Sequence, residues 1–178
     1  YAGLLVFGAT QVSNENEIGK FAFPIFLGAA FQESCPTRAG GAIGPKGARG
    51  PASGRNFDPS NAGGPVRNLS TAGVRVTPRG IEAVEGHLSR FGPDTANSVM
   101  VERLRQIAAG ELEATVQDMN FYTHELRESV RYRNLGHPTG DPGYDVWNNA
   151  HSATLEDYGL NEQSVPHPLY HPDALGGD

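Results

Sequence analysis

From Val74 to Gly159 the chain is punctuated as a run of helices, and that punctuation limits its possible folds more than any other feature. In "TPRGIEAVEGHLSRFG", Thr77 stands as an N-cap, Pro78 takes the first helical position and Gly92 stops the helix. Ile81, Val84, Leu88 and Phe91 recur there at helical spacing. A second helix is predicted from about Thr95 to Ala109, with Val101, Leu104 and Ile107 apolar and Gly110 ending it. The third opens on Thr115 and Asp118, a capping box with Asp in place of Glu, and closes at Gly136. The fourth spans about Asp145 to Tyr158 and stops at Gly159. The tail "NEQSVPHPLYHPDALGGD" has three prolines and cannot be a long helix. No alternating strand pattern interrupts this half. The expectation is a mainly α fold: a small, irregular domain of about four helices over residues 74–178.

The remainder divides into two zones. Residues 1–38 are hydrophobic and rich in small side chains, and read as a delivery or docking part. Residues 39–73 are dense in Gly, Pro, Ser and Asn, with too few apolar groups to repay the entropy of ordering, and read as a flexible linker. The collagen-like piece "GPKGARGPAS" is too short for a triple helix. The apolar runs Ala2 to Ala9 and Phe21 to Phe31 fall far short of the roughly 20 residues of a bilayer span, so no stable membrane span is expected. The start "YAGLLVFGAT" has neither a basic n-region nor an initiator Met, and the chain reads as a piece of something longer. The single Cys35 excludes an internal disulfide and a cysteine-rich zinc module.

Charge narrows the function. The net charge is −6, and from Arg75 onward 16 acidic residues face 8 basic ones. That half lacks the basic footprint of a nucleic-acid binder, although a bound metal or a local basic groove reverses the sign near a site.

The third helix, "FYTHELRESVRYRNLG", carries the most chemistry. On a helical wheel Met119, Tyr122, Leu126, Val130 and Arg133 make a core stripe, while Phe121, His124, Glu128, Arg131 and Leu135 make a second on the opposite side. A carboxylate and an imidazole between apolar neighbours need partners, because burying an unpaired charge is costly. Glu128 is placed to orient His124, and Arg131 to pair with Glu128. In the fourth helix His151 lies in a stripe with Trp147, Leu155 and Tyr158. If the two helices are neighbours, His124 and His151 share a cleft with Glu125 or Glu128 nearby.

Three readings fit. Two histidines and a carboxylate (His124, Glu128, His151) bind a divalent metal such as zinc that activates water. Alternatively the histidines act as an acid/base pair, with Arg127 or Arg131 steadying a phosphate-like transition state. The third reading is a purely structural Glu–Arg–His network docking the helix. His124-Glu125 opens like the H-E-x-x-H of zinc peptidases, with Glu125 as general base, but Glu128 stands where the second His belongs. Among the other histidines, His87 falls on the polar side of the first helix and is expected in solvent. His137 caps a helix end. Tyr170 and His171 lie in a tail able to fold over the cleft.

The run through "RGIEAVEGHLSRFG", "FYTHELRE", "WNNAHSATLEDYGL" and "LYHPD", roughly residues 74 to 175, resembles the C-terminal toxin domains of bacterial polymorphic toxins, including Rhs-type effectors. The most specific pieces are His124 to Glu128, Ala150-His151 with Leu155 and Tyr158, and Tyr170-His171-Pro172. The resemblance implies a secreted effector, carried as the C-terminal part of a longer delivery protein and acting in the target cell's cytoplasm. It implies a cognate immunity protein as partner and, most commonly, nucleic acid as substrate. The expected function is a hydrolytic toxin with His124, Glu128 and His151 at its site and Glu125 and Arg131 in support. A metal-dependent, peptidase-like hydrolase and a non-enzymatic interaction domain are the alternatives.

Overall fold

The computed structural model describes residues 47–176, all within the chain's second compact unit, Ala39–Asp178. The hydrophobic segment 1–38 and the first part of the expected linker lie outside the described residues. Within them the fold is mainly α, with four helices: α1 Pro78–Leu88, α2 Thr95–Ala109, α3 Val116–Asn134 and α4 Tyr144–Tyr158. Short 3-10 turns occupy Pro59–Asn61, Ser89–Phe91 and Pro172–Leu175, and the β pairing among the described residues is one bridge between Arg49 and Asn56. No helix among the described residues is long and apolar enough to cross a membrane.

Local chemistry explains each boundary. The Thr77 side chain accepts from the Gly80 N–H, and Asp94 does the same for Asn97 at the head of α2. Both halves of the Thr115–Asp118 capping box are formed. At the C-terminal ends of α2 and α4, Gly110 and Gly159 take the left-handed conformation that reverses the chain.

The first three helices enclose the main core of Ile81, Val84, Met100, Leu104, Tyr122 and Leu126. Burying each such side chain contributes about 1.5–3 kcal/mol. α1 comes so close to α3 at Gly80 that a Cβ there would overlap the Tyr122 hydroxyl. Of the predicted core stripe, Tyr122 and Leu126 are buried, whereas Arg133 is exposed. The second stripe is the deeper one, because α4 and residues 47–73 cover it: Phe121, His124, Glu128 and Arg131 are all buried.

The flexible-linker expectation fails over residues 47–73. The backbone N–H groups of Ala52 and Ser53 and the Ser53 hydroxyl donate to the Glu156 carboxylate of α4. Phe57 and Ala62 pack with Ala153 as a second apolar cluster. Arg131 donates to the carbonyls of Ala62 and Gly64, at 2.8 and 2.7 Å. Gly63 between them has φ +72°, and its Cα lies against the Arg131 backbone with no room for a Cβ. Few apolar residues are needed here. Charge-assisted hydrogen bonds between the segment's backbone and buried Glu156, which accepts, and Arg131, which donates, offset the ordering entropy instead.

Candidate metal centre

α3 and α4 pack together, and their histidines meet. The His124 and His151 rings lie edge to face with centroids 4.7 Å apart. His124 Nε2 is 3.0 Å from Glu128 Oε2, His151 Nδ1 is 3.1 Å from the same oxygen, and the two nitrogens are 3.1 Å apart. This near-equilateral triangle is buried: His124 is 0%, Glu128 2% and His151 8% exposed.

With Glu128 ionised, protons leave one of the triangle's edges unfavourable. An imidazole nitrogen is donor or acceptor, never both, and an ionised carboxylate only accepts. If both nitrogens donate to Glu128, two hydrogens face each other across the third edge. If either does not, its lone pair faces the carboxylate's. One divalent cation resolves all three edges, since bonds of about 2.0–2.1 Å in a tetrahedral site set ligand atoms about 3.3 Å apart. The donor set and the spacing therefore fit a small divalent ion held by three protein ligands, with a fourth position left over.

The surrounding groups orient those ligands. The Tyr132 hydroxyl donates to Glu128 Oε1 at 2.6 Å, leaving Oε2 to face the histidines. Glu162 Oε1 lies 2.9 Å from His151 Nε2, and a carboxylate there fixes the proton on Nε2 so that Nδ1 points inward. Arg55 holds the other Glu162 oxygen at 3.0 Å and lies over Trp147, which stacks on His151. Arg55, Trp147 and Glu162 thus form the partly exposed rim above the buried triangle.

The electrostatics match. Burial would raise the Glu128 pKa, but the His151 charge and the hydrogen bonds of both histidines hold it well below the usual carboxylate range. Burial would lower that of His151, yet Glu128 and Glu162 drive it up to about 10. Burial also works against Glu162, whose pKa the His151 hydrogen bond and charge pull down to about 2. For His124, burial outweighs Glu128 and lowers the pKa. Without a cation, an imidazolium at His151 does the work of countering two carboxylates.

The other expected residues lie elsewhere. Arg131 does not pair with Glu128; its Nη2 donates to Asp157 Oδ2 at 2.6 Å, and Arg127 binds the same oxygen. Both arginines are thereby committed to tying α3 to α4, because Asp157 lies fully buried between them. Glu125 is buried on the α1 side, 3.5 Å from His87 Nε2, and its pKa is pushed well up, by burial first and the Glu128 charge second. His87, expected in solvent, is 1% exposed and packs on Tyr132 and Phe91. The polar side of α1 meets the carboxylates of α3, so polarity there does not mean exposure. His137 closes α3 through its backbone N–H, which donates to the Tyr132 carbonyl. Tyr170 donates to Asn97 and packs on Phe121, and His171 Nδ1 accepts from the Asp173 N–H. The tail covers α2 and the start of α3 rather than the histidine pair. A groove of about 250 Å³ lined by Glu85, Leu88, Asp94, Val101 and Arg105 shares no residue with the triangle.

Sequence reasoning missed Tyr132, Glu162 and the burial of His87. Tyr132 was within reach, one turn beyond Glu128 on the same helix. Glu162 sits in a turn after α4, where no periodicity points to it. No family model, curated protein or solved structure matches the chain.

Proposed function

We propose that this chain carries a metal-dependent hydrolytic toxin domain whose ion is held by His124, Glu128 and His151. One observation carries the reading: three buried ligand atoms in a triangle of 3.0–3.1 Å edges, a donor set and spacing that fit a small divalent ion. When bound, a divalent ion supplies Lewis acidity and an activated water. Tyr132 and Glu162 hold the ligands in place, and Arg55 brings a cation to the partly exposed rim that an incoming substrate would meet. Nucleic acid is the proposed substrate, acted on in the cytoplasm of the target cell after delivery as part of a longer protein. With a net charge of −6 the chain has no general attraction for a polyanion, so recognition falls to this rim. A cognate immunity protein completes the proposal.

The depth of the triangle favours a second reading, a structural ion that fastens α3 to α4 without chemistry. Expression of the full chain in bacteria separates the two. Growth arrest and nucleic-acid breakdown by wild type, relieved by the immunity protein and lost in folded His124→Ala and His151→Ala variants, are the expected results. Folded variants as toxic as wild type would eliminate a hydrolytic role for the triangle.

A further inference from the structure

Beside the triangle lie two buried ligand groups that the proposed site does not use. His87 from α1 and Glu125 from α3 face the same Glu128, and the ligand atoms of His87, Glu125 and Glu128 lie within 4.8 Å of one another. His87 is 99% out of solvent by its 1% exposure, yet neither Nδ1 nor Nε2 has a hydrogen-bond partner. A buried imidazole always has one N–H to place, and leaving it unmet is costly. The nearest polar atom with a counter-charge is Glu125 Oε2 at 3.5 Å, too far and too poorly aimed for a hydrogen bond but suited to a ligand across a shared ion. Glu125 is itself 7% exposed. Two carboxylates so close, both withdrawn from water, share either a proton or a cation between them.

From these contacts we infer that the protein binds two divalent cations, the second held by His87 and Glu125, with the Glu128 carboxylate shared between the two positions. The inference rests on the proposed function for the first ion alone. Sharing one carboxylate places the ions in the range of about 3.5–4 Å typical of two-metal hydrolytic sites. Such a pair stabilises both the attacking and the leaving oxygen of an in-line displacement at phosphorus. Two-ion sites serve phosphodiester and peptide hydrolysis alike, and the nucleic-acid substrate proposed above selects the phosphodiester. Glu125 becomes a ligand in this arrangement and not a general base.

The test uses the full chain, stripped with chelator and then loaded with Mn²⁺, with bound metal measured by elemental analysis and electron paramagnetic resonance. Two ions per chain with a spin-coupled signal are expected for wild type. His87→Gln and Glu125→Gln, checked for fold by circular dichroism, are expected to retain one ion and show an isolated Mn²⁺ signal. One ion in wild type, unchanged in both variants, overturns the second position while leaving the first intact. No bound ion in wild type overturns both. Should either variant fail to fold, the wild-type count of two or one still decides.

Discussion

Tyr132 and Glu162 each fix one ligand of the proposed centre through a single hydrogen bond. Outer partners of metal ligands are worth about 10–100-fold in metal affinity. Tyr132→Phe removes only the hydroxyl that holds Glu128 Oε1, so a 10–100-fold weaker Zn²⁺ dissociation constant, with the fold unchanged, is the expected result by calorimetric titration. Glu162→Gln should weaken binding in the same range, because an amide can present a donor to His151 Nε2 and allow the wrong tautomer. Unchanged affinity in both would mean that His124, Glu128 and His151 do not hold the ion. At this scale much was legible beforehand. His124 and Glu128 are one helical turn apart, and His151 repeats their setting in another helix. The mate of Arg131 was not legible: Asp157 lies 26 positions away, and only packing brings it within reach.

α3 is the element on which everything converges, buried on two faces and fixed at its N-terminus by a charged network. Asp118 accepts from the Thr115 N–H and hydroxyl and from Arg103, with Arg103 reaching on to Asp173. Asp118 is fully buried, so Asp118→Ala removes one of the two carboxylates that hold Arg103 together with half of the capping box. Breaking a buried pair in this way costs about 3 kcal/mol, measurable by urea denaturation. The same group shapes the acid limb of the stability curve. Burial would raise its pKa, but Arg103 and Thr115 hold it below the ordinary carboxylate value. Its contribution is therefore in full above the unfolded pKa of about 3.9 and fades as pH falls through that value toward the lower folded one. Wild type should lose melting temperature between about pH 5 and pH 3 more steeply than Asp118→Asn, and equal slopes would refute the assignment. The cap itself was evident in the sequence, since Thr115 and Asp118 are three residues apart.

For the molecule as a whole, the decisive correction is that residues 47–73 belong to the folded body. A chain starting at Val74 would leave Glu156 and Arg131 without their backbone partners and would uncover the seat of Phe57. It is expected to be unfolded or markedly destabilised by circular dichroism, whereas a chain from Ala39 folds. In the native protein trypsin should spare Arg55, which is bound to Asn148, Ser152 and Glu162, and should cut there once Arg131→Met loosens the segment. Ready cleavage at Arg55 in wild type would restore the linker picture. The sequence by itself determined the four helices, their caps and stops, and the residues able to carry chemistry. Those depend on neighbours within about four positions, where helix periodicity and capping hydrogen bonds act. Only the tertiary structure decided that His87 is buried, that Arg131 and Arg127 serve Asp157, and that a glycine-rich stretch is held by charge. Those outcomes depend on which faces of distant segments meet, and no local spacing encodes that.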